Sequence, residues 1–252
     1  LGANITPHDP FATDGLSHEA PFVNGYYFGT DQLGRDVLAR IMLGARDVLI
    51  AAPLAATIGV VSGAMLGLLM GYYRGILDDI LGRLIEAFLV LPLTLVGLLA
   101  LSAAPDDWSI IPGIESSTQT VILVVGLLFT PIVARTVRAA VLAERENDYV
   151  QAAKLRGENG LYIMTREILP NVMSPIVVEF TVRIGYAIFA IATLSFLGVG
   201  IQEPTPDWGL MIAQEYRLVI GGYWWVTVFP ALAIASLVIA VNLIADRLQE
   251  VM

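Results

Sequence analysis

Few side chains in this 252-residue chain have the types and spacing that chemistry needs, and most of those lack a partner at the required distance. His18-Glu19 opens like the zinc motif H-E-x-x-H, but Ala20, Pro21 and Phe22 follow, so no second histidine completes the pair. A phosphate-cradling loop needs a lysine directly after glycine. The single lysine, Lys154, follows Ala153. A serine nucleophile needs a base, and His8 and His18 both lie far from the long apolar stretches. Asn4-Ile5-Thr6 matches a glycosylation acceptor, a pattern short enough to recur by chance. The residues thus assign no catalytic group, no metal site and no cofactor to this chain.

The remaining candidates are ionisable groups inside apolar stretches: Glu86, Glu179 and Arg183. Each costs about 3 kcal/mol at the centre of a spanning helix, so each marks either function or pairing. Glu179 and Arg183 are one helical turn apart and suit an internal ion pair, and Glu86 lies within reach of Arg83. A proton or ion relay would want acidic groups at mid-depth on several helices, and that set is missing. No substrate-binding residue follows from the pattern.

The elements that position these groups are dictated by composition. At 56% hydrophobic and 15% charged, the chain lies outside the soluble range, where about a quarter of residues are charged. The absence of cysteine excludes a disulfide-stapled fold, and the 14 basic residues form no run that would favour nucleic acid, despite a net charge of -9. A spanning helix needs about 20 mostly apolar residues. Five stretches qualify: Val48 to Tyr73, Leu84 to Ala104, Ser116 to Ala134, Ile176 to Ile201 and Leu218 to Ala245. The expected fold is all-α, a polytopic membrane helical bundle. Residues 1–46 read as an extracytoplasmic loop ending in a short amphipathic helix, capped by Thr30 or Asp31 and lying along the membrane surface on a stripe of Val37, Leu38, Ile41, Met42 and Ala45. Residues 47–252 read as the membrane domain, containing a long cytoplasmic loop over 135–175.

Basic residues set the orientation. Arg74, Arg83, Arg135, Arg138, Arg145, Lys154, Arg156, Arg166 and Arg247 fall on one side, against Arg35, Arg40, Arg46 and Arg217 on the other. The first side is expected to be cytoplasmic. The amino-terminal loop and the loops over 105–115 and 202–216 then face outward, and a sixth span is expected before Leu1. In the first span Gly59, Gly63, Gly67, Gly71 and Gly75 recur every fourth residue. Inside lipid, where no hydrophobic force drives helices together, such a small-residue face permits close backbone approach, so the first four are assigned to helix packing. Pro53, Pro92, Pro131 and Pro230 are expected to kink packed helices.

The 135–175 loop is too long for a simple connection and too patterned for disorder. Helix-forming residues run from Ala139 to Gly157, a glycine suited to a C-cap, and the apolar run Leu161, Tyr162, Ile163 and Met164 follows before Pro170. Apolar side chains there suit either a partner's groove or the loop's own first helix.

The stretch DYVQAAKLRGENGLYIMTREILPN resembles the signature loop of permease subunits of ATP-binding-cassette importers, with Gln151, Ala152, Ala153, Gly157, Leu169 and Pro170 in the pattern positions. Gln151 departs from the common glutamate and Glu167 from the common isoleucine. FGTDQLGRDVLARIMLGAR and LSFLGVGIQEPTPDWGLMI are similar to the C-type permeases of dipeptide and oligopeptide importers, with Glu203 in place of a common proline. The resemblance implies a non-catalytic, multi-pass subunit of a bacterial or archaeal cytoplasmic membrane. Its implied partners are a second permease subunit, two cytoplasmic ATPase subunits that bind ATP and magnesium, and an external solute-binding protein. It implies that Leu161 to Met164 belong to a coupling helix seated on an ATPase, and that the cargo is peptide. Alternatives are a related importer for nickel complexes, opines or other small solutes, and a stand-alone ion-coupled carrier.

Overall fold

The computed structural model describes residues 8–105 and 114–251, with side chains as far as Arg247. The Asn4 to Thr6 sequon and residues 106–113 of the expected outer loop lie outside the described residues. Ten α-helices are described: α1 (Val37–Tyr73), α2 (Ile76–Leu89), α3 (Leu93–Ser102), α4 (Ser116–Glu144), α5 (Asp148–Leu155), α6 (Gly160–Tyr162), α7 (Leu169–Asn171), α8 (Met173–Phe196), α9 (Trp208–Glu215) and α10 (Trp225–Val251). A π-helical turn, Ile163–Ile168, joins α6 to α7, and a 3₁₀ turn, Tyr216–Gly221, follows α9. Extended structure among the described residues is limited to the isolated bridges Val23–Tyr26 and Thr30–Asp36.

Helices α1, α4, α8 and α10 are each long and apolar enough to cross a membrane. The expected second span is instead two helices, α2 and α3, bent by 92° at the short break that contains Pro92. Proline disfavours a helical conformation in the residue before it, which ends α2 near Val90. The expected amphipathic helix is not separate either: it forms the first turns of α1, which runs unbroken past Arg46 and Pro53. Its cap is Asp36, whose Oδ1 accepts the backbone N–H of Leu38 at 2.8 Å and of Ala39 at 3.3 Å, rather than Thr30 or Asp31. Arg40, in these first turns, is buried and paired with Glu203 at 3.3 Å and Asp31 at 3.9 Å rather than facing water.

The chain forms two compact units. Unit 1 comprises residues 1–53, 98–122 and 185–240. Unit 2 comprises 54–97, 123–184 and 241–252, including the 135–175 loop. Its core holds Val60, Ala64 and Leu68 of α1 with Val133, Val137 and Val141 of α4 and Val150, Ala153, Ile163 and Ile168 of the loop.

In unit 2 the glycine stripe of α1 packs directly on α4. A Cβ on Gly59 would lie 2.7 Å from the Gly126 carbonyl oxygen, and one on Gly67 2.7 Å from that of Ala134. Gly63 and Gly71 meet Val133 and Val141 at 2.6 Å in the same construction. Real Cβ atoms do not approach this closely, so the α1–α4 spacing depends on glycine. Gly75 leaves the stripe: at φ 69° and with nothing near its missing Cβ, it turns the chain from α1 into α2.

Candidate functional site

The 145–172 segment of unit 2 is a built structure rather than a tether. Arg145 anchors its start by donating from Nη1 to the terminal carbonyls of α1, at 2.7 Å to Tyr72 and 3.2 Å to Gly71. Those carbonyls have no partner within their own helix, and a cation complements that end of the dipole. Gln151, at the position where a glutamate is common, donates from Nε2 to the Arg145 carbonyl at 2.9 Å, a bond a carboxylate could not make.

Helix α5 ends in a Schellman arrangement. The Glu158 N–H donates to the Ala153 carbonyl at 3.2 Å, the Gly157 N–H donates to Lys154 at 3.0 Å, and Gly157 has φ 80°. Asn159 then caps α6, its Oδ1 accepting the Tyr162 N–H at 2.7 Å. Gly160, which the sequence pattern did not single out, seats the new helix against the end of α1: a Cβ there would lie 2.9 Å from the Tyr72 ring and 3.0 Å from the Tyr73 hydroxyl. Two ties close the segment. Arg156 donates to Glu167, the other departure, at 3.1 Å, and Asn171 donates to the Tyr149 hydroxyl at 3.1 Å. That hydroxyl in turn donates to Glu144, and burial together with the Glu144 carboxylate pushes its pKa up to about 12.

The expected coupling residues divide. Leu161 is 67% exposed and Tyr162 40%; with Leu155, 90% exposed, they are the large apolar side chains that this segment exposes, its apolar ledge. Gln151 is half-buried, and Ala152, Gly157 and Pro170 are exposed. Ile163 and Met164 are a correction. Both are buried, and Ile163 packs with Ala153 and Ile168 in the chain's own core, with partly buried Leu169 alongside. The reason is the π-helical turn, whose wider period lets Ile163 and Ile168, five apart, share one inward face with Met164 beside them. Period-3.6 reasoning could not separate inward from outward positions here.

The two other sequence blocks singled out for their resemblance meet in unit 1. The Trp208 indole donates to the Ile41 carbonyl at 2.9 Å. Glu203, an apparent oddity in sequence, accepts from Arg35 at 3.1 Å and Arg40 at 3.3 Å, and from Gln214 at 3.2 Å. Arg35 also donates to Asp31 at 2.6 Å. Against the opposing effect of burial, the hydrogen bond from Gln214 and then the Arg35 and Arg40 guanidiniums hold the Glu203 carboxyl below its ordinary range. His18 pairs with Glu215 at 2.9 Å and His8 with Asp36 at 2.8 Å, so both histidines tie loops together. In unit 2, Arg183 donates twice to Glu179, at 2.9 and 2.7 Å, and Thr136 donates to the same carboxylate at 2.8 Å. Glu86 and Arg83 form no ion pair with each other.

The family model described as "Binding-protein-dependent transport system inner membrane component" matches residues 63–252. The chain belongs to this family. The permease component is 38% identical over 248 residues to a putative peptide transport system permease of Brucella suis, covering 98% of this chain and 80% of the relative. It is 37% identical over 225 residues to the dipeptide permease DppC of Haemophilus influenzae, covering 89% and 72%. It is also 37% identical over 250 residues to the glutathione permease GsiD of Escherichia coli, covering 98% and 78%. Its fold is that of a chain in the inward-facing MetNI methionine ABC transporter, with TM-score 0.64 at 18% identity, covering 85% of this chain and 95% of that one.

Proposed function

We propose that this permease component carries peptides across a bacterial or archaeal cytoplasmic membrane and is driven by separate ATPase subunits through the 145–172 segment. The observation that carries the reading is the exposure of Leu155, Leu161 and Tyr162 on a segment anchored by a Schellman turn, an N-cap and Arg145. Such a surface suits a cleft in a cytoplasmic ATPase, and its anchoring to the end of α1 offers a rigid path by which ATPase closure moves the spans. ATP and magnesium bind in those partners. A second permease subunit completes the route, and residues 1–46 with the rest of unit 1 face an external solute-binding protein. The peptide, dipeptide and glutathione permeases among the relatives support peptide as the cargo class.

The test is reconstitution with the ATPase, second permease and binding-protein products of neighbouring genes. Expected are binding-protein-stimulated ATP hydrolysis and hydrolysis-dependent uptake of a labelled peptide. Uptake driven by an ion gradient without ATP, or stimulation by loaded binding protein for a non-peptide solute alone, would overturn the reading.

A further inference from the structure

Helix α2 is the most sharply two-faced of the long elements. Ile76, Leu77, Ile80 and Leu84 are exposed along one face, as suits lipid. The other face, with Arg135 and Arg138 of α4, lines a half-open hollow of about 310 Å³ within unit 2. Its charged lining is Asp78, Asp79, Glu86, Arg83, Arg135 and Arg138, three groups of each sign. Asp78 and Arg138 satisfy each other through two bonds, at 2.5 and 2.7 Å. Asp79, Arg83, Glu86 and Arg135 are exposed; their side chains form no hydrogen bond or close ion pair with another described residue, although Asp79 and Glu86 lie near enough to Arg138 to act on its charge.

Ionisable groups on spanning elements face protein or a water-filled cavity, because lipid cannot solvate them. A hollow of this size admits water and small polar groups, and lies at the lower limit of ligand pockets. An anionic ligand would call for an excess of guanidinium, and a cationic one for an excess of carboxylate. Two of each sign in one hollow, none in a close ion pair, match a ligand that carries both charges itself. We propose that this hollow is a transit site for the free ammonium and carboxylate ends of a short peptide, with Asp79 and Glu86 receiving the ammonium and Arg83 and Arg135 the carboxylate. The proposal rests on the peptide reading above and assigns it residues.

Gly82 lines the same hollow, and a Cβ there meets only the tip of Met70, at 3.9 Å, so Gly82→Cys introduces a thiol without crowding. The chain has no other cysteine. In the assembled importer, built from cysteine-free partners and reconstituted in vesicles, the rate of Gly82→Cys alkylation by iodoacetamide is measured with increasing trialanine. Trialanine is expected to slow the reaction, whereas N-acetyl-trialanine amide, which has neither charge, is expected not to. Adding Glu86→Gln or Arg83→Gln should raise the trialanine concentration needed by about tenfold, the effect of losing one charged hydrogen bond. No protection, or equal protection by the blocked peptide, overturns the proposal. So does protection that depends on phosphatidylethanolamine in the vesicles and not on trialanine, which would assign the hollow to a zwitterionic lipid headgroup. Because alkylation needs no transport, the two ideas fail separately: ATP-driven peptide uptake without protection sinks only the site, and absent uptake of every peptide sinks the cargo reading.

Discussion

Gly67→Ala adds one methyl group to the α1–α4 contact. The new Cβ would lie 2.7 Å from the Ala134 carbonyl oxygen, 2.8 Å from Val137 Cβ and 2.9 Å from the Arg138 nitrogen. Two of these atoms are backbone, so no rotamer change relieves the clash. To restore ordinary contact α4 must retreat by roughly 0.7 Å, a gap at which neighbouring dispersion contacts lose a quarter to half of their depth. The same retreat loosens the contacts at Gly63 and Gly71, which share the stripe. Alanine returns at most about 1 kcal/mol of helix propensity. Overpacking of this kind costs about 1–3 kcal/mol, so a net loss of about 1–2 kcal/mol is expected. The assay is thermal melting of the intact importer in mild detergent. Val61→Ala serves as control, since Val61 lies on the same helix but is 53% exposed. Melting of Gly67→Ala at or above the parent's temperature would refute the claim that this spacing depends on glycine.

Glu203→Gln removes the nearer charge partner of Arg40, 1% exposed, leaving Asp31 at 3.9 Å, and should cost about 1–2 kcal/mol, below the 3–5 of fully buried pairs because Asp31 remains and Glu203 is 41% exposed; a melting temperature equal to the parent's would contradict this. Burial pushes the Asp207 carboxyl from 3.8 up to about 6, and a folded-state pKa above the unfolded one means that its contribution to stability is complete below about pH 4 and lost as pH rises through 6. The stability advantage of the parent over Asp207→Asn, which can still cap α9, should therefore shrink between pH 4 and 6, and an advantage that grew would reverse the sign. Met164→Asp should prevent folding by burying a charge, measured as loss of detergent-stable protein, whereas Leu161→Asp should yield normal amounts; equal yields would contradict the inward placement of Met164.

How much was legible in the sequence depends on the range of the interaction. The spans followed from runs of apolar residues, and the glycine stripe from a period visible in one helix. The Gly157 turn was equally local. Glu179 and Arg183, one turn apart, could be paired on paper. Asp78 and Arg138, 60 residues apart, could not, and neither could Glu203 with Arg35 and Arg40. Glu203 therefore read as a small departure although it joins two distant segments. The break between α2 and α3 had a local signal in Pro92, which was read as a kink because hydropathy continues across it. The inward placement of Ile163 and Met164 was not legible for a different reason: a π-helical turn changes which neighbours share a face, and nothing in the apolar run Leu161 to Met164 announces that change.

The most direct test of the account asks what the exposed ledge touches. Leu161→Cys carrying a benzophenone, in the assembled importer and an otherwise cysteine-free background, should on illumination attach to an ATPase subunit, identified by mass spectrometry. The same probe at Ile220→Cys, 96% exposed in unit 1, should not. An ATPase adduct at Leu161 alone is the predicted result; an adduct at Ile220 instead, or none at Leu161 in an importer that hydrolyses ATP and transports peptide, would contradict coupling through this segment.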